Sequence, residues 1–312
     1  MSVLVIGEAV MDIIRRYDGS VAQHPGGSPA NVALGIKRLG QPTRLVTMLG
    51  NDDYGHAIAQ WLAEDNVDTV VVPSERTASS IATVDETGGS TYTFDIAWDL
   101  AGNQPQMADI RHVHTGSIAS YIEPGASDIT RIIDEHRDDV TVSFDPNIRP
   151  ALIADMPAVR TQMGQMIARA DIVKCSNEDL ALVFERAELS GEDMIEIARA
   201  WIDEGRTEDN GPLLVMITSG KDGVIAMNAR GDVVHVPADS TVDVVDTVGA
   251  GDSFMGAVIY QLSVRELMGA ANRSALSQLS KEELIEIMTF AVRVADITVS
   301  RAGANPPRLH EL

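Results

Sequence analysis

Apolar residues in this chain fall into two kinds of pattern. Short runs rich in Val, Ile and Leu read as strands buried on both faces, and longer stretches with apolar residues at every third or fourth position read as helices with one covered face. Val3 to Gly7, Val140 to Phe144, Asp171 to Lys174 and Leu213 to Thr218 are of the first kind, and Thr241 to Val245 (T-V-D-V-V) reads as a further β-branched strand. Val32, Ile36 and Leu39 form one apolar stripe that Gly40 ends, with Ser28 as the expected N-cap and Pro29 at the first helical position. Phe254 to Leu262 form a second apolar stretch, and Ser280 with Glu283 makes a capping box for a helix through Leu284, Ile287, Met288 and Ala291. Asp203 to Pro212 reads as an acidic surface turn. Strands and helices that alternate in this way predict an α/β fold, a mostly parallel sheet covered on both faces.

Between Thr77 and Trp98 the texture changes to alternating, β-branched residues turned by Gly88 and Gly89, which predicts a β-hairpin, and a short strand is expected near Ile13 to Tyr17. Over 312 residues with 45% hydrophobic content the chain can bury a large core, and no repeat or flexible linker divides it. A formal net charge of -22 repels phosphate backbones, so nucleic acid is not an expected partner. The opening apolar run is too short to span a membrane and no basic leader or small-residue cleavage site follows it, so neither a membrane partner nor a signal segment is expected. The single cysteine, Cys175, excludes an internal disulfide framework and fits a reducing cytoplasm, where it reads as a packing residue. His112 and His114 share one strand face without further ligands at metal spacing, and read as structural.

Chemistry concentrates at Asp246 to Asp252, D-T-V-G-A-G-D, a glycine turn at the start of a helix. Small residues there leave successive backbone N–H groups free to face a phosphate, and the helix dipole adds partial positive charge at the same place. A carboxylate such as Asp252 is disfavoured beside a phosphate unless it has a task, and taking the proton from an attacking hydroxyl is such a task. The segment points to phosphoryl transfer to an alcohol; a ligand-free turn capped by aspartates is the plainer reading of a bare G-A-G. In a second stretch, the pair Gly26 and Gly27 permits close backbone approach by a ligand, and Asn31 in the first helical turn offers an amide that both donates and accepts.

These segments, with G-E-x-x-x-D at Gly7 to Asp12 and D-P-N-x-R at Asp145 to Arg149, resemble the signatures of the ribokinase-like (PfkB) sugar kinase family and its fructokinase-like branch. The resemblance runs from Gly7 to Asn305. It implies a single ribokinase-like kinase domain over residues 1–312, a three-layer α/β/α sandwich with a mostly parallel central sheet. A small β-lid from about 12–24 and 75–102 would close over the sugar, exclude water and pair between subunits as a homodimer. The resemblance further implies that Asp252 is the base and that Gly249, Ala250 and Gly251 form an anion hole, with Asp246 and Thr247 shaping the loop. Asp12, Gly26, Gly27, Asn31, Phe94 and Arg149 are the implied sugar contacts. Lys174, Ser176, Thr218, Gly220, Gly223 and Gly251 are the implied ATP contacts.

Where relatives carry N-x-x-E around magnesium, this chain has Ser176 and Asp179; the implied ligand through water is Asp179, or Glu178 in its place. Asp246, Val248, Ser300 and Gly303 are the implied ligands of a monovalent cation such as potassium. Many fructokinases end a lid strand in F-x-F-Y-R, but no arginine follows Phe94 here. The missing cation favours a neutral ketohexose, fructose first, over an acidic sugar. Asp95, Trp98 and Asp99 leave open a different ring, and with it a kinase for 2-keto-3-deoxygluconate, a ketohexose phosphate or a nucleoside. A non-catalytic sugar or nucleotide sensor is the alternative from another class.

Overall fold

A computed structural model describes residues 2–86, 89–153, 155–208 and 210–312. Its strands are β1 (Ser2–Ile6), β2 (Val10–Arg16), β3 (Val21–Gly26), β4 (Thr43–Gly50), β5 (Asp68–Ser74), β6 (Ser79–Val84), β7 (Ser90–Asp95), β8 (Ile110–Gly116), β9 (Thr141–Asp145), β10 (Ile172–Ser176), β11 (Leu214–Thr218), β12 (Val224–Asn228) and β13 (Val233–Val236). The helices are α1 (Ser28–Arg38), α2 (Asp53–Glu64), α3 (Gly125–His136), α4 (Met156–Arg169), α5 (Asn177–Val183), α6 (Gly191–Glu208), α7 (Ala250–Val264), α8 (Arg273–Ser277) and α9 (Lys281–Val299).

Among the described residues the main sheet has nine strands in the order β13-β12-β11-β10-β9-β8-β1-β4-β5. It is parallel from β5 to β11 and antiparallel from β11 to β13. Alternate residues of each central strand enter different cores. Val3 and Val5 join Leu214 and Met216 in a cluster with α1, α7 and α9, whereas Leu4 and Ile6 join Val215 and Ile217 in a cluster with α3, α4 and α6. Burial on both faces is why these strands read as continuous apolar runs rather than alternating ones. No helix among the described residues is long and apolar enough to cross a membrane.

The hairpin expected at Thr77 to Trp98 is β6 with β7, and it belongs to a second, four-stranded sheet in the order β3-β2-β6-β7. Gly88, read as a turn residue, lies outside the described residues. The strands of this lid lie within residues 10–26, slightly beyond the expected 12–24, and at 79–84 and 90–95, inside the expected 75–102. Trp98 and Leu100 are fully buried in the main core instead. Trp98 is therefore not available to stack on a substrate.

Two sequence expectations fail for local reasons. Thr241 to Val245 is not a strand: the Asp239 carboxylate accepts from the backbone N–H and hydroxyl of Thr241 at 2.8 and 2.7 Å, a turn that bends the chain where the strand would begin. Val244 and Val245 are each 62% exposed. Asp203 to Glu208 continues α6 rather than turning, because Met194, Ala198 and Ile202 give that helix a buried face; Asp209 lies outside the described residues.

His112 and His114 are buried in β8 and hydrogen-bond to Thr141 and Ser143 of β9, and burial pushes both rings down to about 3, so they are neutral core groups. At the end of the sheet where β10 begins, buried Asp171 accepts from the Val142 N–H (2.7 Å), Arg137 (2.8 Å) and Arg273 (2.7 Å). Arg137→Ala leaves that carboxylate two of its donors and is expected to cost about 1.5–3 kcal/mol. The check is a lower urea midpoint at unchanged slope.

Candidate active site

The carboxyl ends of β8, β9, β10 and β11 converge on the turn at 246–252, as an open parallel sheet requires of a ligand site. Gly249 precedes α7 with φ of 76°, and a Cβ on it would stand 2.5 Å from the Ala304 side chain. Only glycine fits that left-handed, crowded position. Asp246 holds the turn against the C-terminal loop: its carboxylate accepts from Val248 N at 3.0 Å and from Gly303 N at 2.9 Å. In the first turn of α7, Ala250 N–H donates to Thr247 O at 3.3 Å and Ser253 N–H to Gly249 O at 2.8 Å, whereas the N–H groups of Gly251 and Asp252 have no acceptor within the helix.

Two cavities meet at this turn and share Thr247 and Gly251. The smaller, of about 280 Å³, lies between the sheet edge and the lid, with Glu8, Asp12, Asn31, Phe94, Arg149 and Asp252 in its wall. The larger, of about 730 Å³, is bounded by Thr218, Gly220 and Gly223 on one side and by the apolar side chains Val242, Val244, Phe254, Val292 and Val299 on the other. The turn thus stands between a more polar chamber and a more apolar one, with Gly249 in the first, Ala250 in the second and Gly251 in both.

Asp252 is buried, and each carboxylate oxygen accepts a hydrogen bond from the start of α1. Ser28 Oγ donates to Oδ1 at 2.6 Å and Asn31 Nδ2 donates to Oδ2 at 2.8 Å. Asn31 Oδ1, also buried, has no partner. Ser28 is consequently not the N-cap expected from sequence; Gly27 holds that place without a side-chain bond. The Gly26–Gly27 pair also serves the chain itself, and Gly27 lines the smaller cavity. A Cβ on Gly27 would stand 2.6 Å from Glu8 O, and one on Gly26 would stand 2.7 Å from Asp12 Oδ2.

Below the turn, Lys174 Nζ donates to Asp145 Oδ2 at 2.8 Å, both groups buried. A Cβ on Gly251 would lie 2.8 Å from the same nitrogen, so the ammonium abuts the backbone of the turn. Lys174 lines the smaller cavity. Burial alone would push the lysine down, but the Asp145 carboxylate outweighs it and the net shift is upward. Burial pushes Asp145 up to about 6 despite that partner, and its Oδ1 is unpartnered.

Asp179 accepts from Ile148 N (2.7 Å) and Ser176 N (3.1 Å), so both oxygens fix backbone, and Ser176 caps α5 in a capping box with it. Ser176 and Asp179 line neither cavity, and Glu178 is exposed. Ser300 Oγ donates to Ile297 O at 2.7 Å, closing α9. Arg149 Nη1 donates to Asn147 Oδ1 at 2.6 Å within the small cavity, and Asn147 sits at φ of 37°. Phe94 stacks on Tyr92 with ring centroids 6.2 Å apart.

Sequence reading overlooked Glu8 as a wall residue. Burial pushes its carboxyl up to about 7, against the bonds it accepts from Ser117 and the Ala119 N–H. The only signal was its place at the end of a buried strand. Asp12 is likewise raised, by burial first. Among the described residues no three His, Cys, Asp or Glu side chains stand close enough to hold a metal by themselves.

The fold and the sequence have counterparts among known proteins. The pfkB family carbohydrate kinase description matches residues 1–311. A fructokinase of Klebsiella pneumoniae is 35% identical over 268 residues, 83% of each chain, and one of Escherichia coli is 30% identical over 311 residues, 97% of this chain and 94% of that relative. The structure of a fructokinase from Vibrio cholerae O395 in a fructose, ADP and calcium ion bound form is similar at a TM-score of 0.76 and 26% identity, covering 97% of this chain and 94% of that one. The chain belongs to the pfkB family of carbohydrate kinases and is a sugar phosphotransferase.

Proposed function

We propose that this kinase transfers the γ-phosphate of ATP to a primary hydroxyl of a neutral ketohexose, with D-fructose as first choice. The observation that carries the reading is the small cavity. At about 280 Å³ it suits one monosaccharide, and away from the glycine turn and Lys174 it offers hydroxyl partners. Glu8, Asp12 and Asn31 supply acceptors, while Arg149 gives Nη1 of its guanidinium to Asn147 Oδ1. An acidic or phosphorylated sugar would bring its charge against these carboxylates. The fructokinase relatives support the same choice, and the Vibrio cholerae structure pairs fructose with ADP.

The larger cavity takes the nucleotide, its apolar walls suiting a base and its end at Gly251 meeting the phosphates. Magnesium would be held mainly by the phosphates and water rather than by a protein cage. When bound, that ion neutralises phosphate charge. Asp252 accepts the sugar proton, the 249–251 backbone and Lys174 stabilise the transferring group, and the lid excludes water. Asp246 and Gly303 form the frame of the proposed potassium loop.

The test is ADP release with MgATP against fructose, glucose, ribose, 2-keto-3-deoxygluconate, tagatose 6-phosphate and adenosine, in sodium and in potassium buffer. Fructose is expected to give the highest kcat/KM, and the acidic and phosphorylated sugars at least tenfold less, the equivalent of about 1.4 kcal/mol. A phosphosugar or adenosine as the best acceptor would overturn the neutral-hexose reading.

A further inference from the structure

Ser28 stands against the base instead of capping its own helix, and its partner is 224 residues away in sequence. Its Oγ donates to Asp252 Oδ1 while the Asn31 amide donates to Oδ2, and all three side chains are buried. The two donors differ in kind. An amide N–H only donates, whereas a hydroxyl donates or accepts by turning about its Cβ–Oγ bond. When a carboxylate takes a proton, one oxygen becomes a hydroxyl and a poor acceptor, and the other becomes a carbonyl. Asn31 needs its acceptor to remain a carbonyl. Oδ1 is then the oxygen free to take the proton, because its partner alone adapts to the change.

We propose that Ser28 is a positioning residue for the base: it orients Asp252 so that Oδ1 receives the substrate proton, and it turns to suit the acid that forms. The inference rests on the kinase reading above. In the step it serves, the O–H bond of the sugar breaks and its proton passes to Asp252 Oδ1. The sugar oxygen forms a bond to the γ-phosphorus, and the bond from that phosphorus to the departing ADP oxygen breaks. The proton returns to solvent after the phosphosugar leaves.

The experiment compares Ser28→Ala, Ser28→Thr and Asp252→Asn with the parent chain, using MgATP and D-fructose or, if faster, another acceptor of the panel. Ser28→Ala is expected to lower kcat on the order of tenfold to a hundredfold, the range for one hydrogen bond to a charged group, with KM for sugar and ATP little changed. Ser28→Thr keeps the hydroxyl and is expected to recover most of that loss, which a purely structural role would not predict. Parent-like kcat in Ser28→Ala, or equal losses in both Ser28 variants at parent-like melting temperature, overturns the proposal. If instead Asp252→Asn keeps its turnover, the base assignment falls, and the role of Ser28 falls with it.

Discussion

Asp252→Asn is expected to lower kcat on the order of 10²–10⁴-fold, the span that a positioned general base contributes. The substitution keeps shape and burial and removes only the site for the proton. It should also fold. The new amide oxygen can accept from Asn31 Nδ2, and the new NH₂ can donate to Ser28 Oγ, which accepts as readily as it donates. Nucleotide affinity measured by calorimetry is therefore expected to stay close to that of the parent, while ADP release with sugar collapses. Turnover within severalfold of the parent at equal stability would remove Asp252 from the proton path.

The glycine turn and the helix after it were legible in the sequence because everything that marks them is local. A glycine turn, a carboxylate and an apolar helix follow one another within Asp246 to Leu262, and the helix forms where the pattern puts it. The parallel strands were legible for the same reason, since burial on both faces leaves continuous apolar runs. What failed was set by partners far away in the chain. Ser28 looks like a cap in its own neighbourhood, and only the fold brings it to Asp252. The bond that Asp179 accepts from Ile148 N–H, 31 residues away, is likewise invisible in the sequence. Thr241 to Val245 has strand composition, but a turn at Asp239 and a bond from Val245 N–H to Val299 O hold it along the larger cavity. Propensity yields to such contacts wherever they are made.

Lys174 tests whether the buried ion pair serves catalysis or the fold, because its two effects separate in a double mutant. Lys174→Met alone strands Asp145 in the interior, and breaking a buried pair in this way costs about 3–5 kcal/mol. The deficit should depend on pH. Asp145 already titrates at about 6 with its partner present, and without it the folded-state value rises further above the unfolded one. The folded variant then binds the extra proton, so its stability falls as pH rises from the unfolded carboxylate range through that raised value. Melting curves at pH 5 and pH 8 should show a small loss at the first and a large one at the second. Adding Asp145→Asn removes the stranded charge and is expected to restore most of the stability at pH 8. It should not restore turnover, because the cation that abuts Gly251 is still missing, and loss of one such stabilising group costs on the order of 10²–10³-fold in kcat. If the double mutant instead regains turnover together with stability, Lys174 is a structural counter-ion, and the charge on the transferring phosphoryl group is met by the turn and the metal without it.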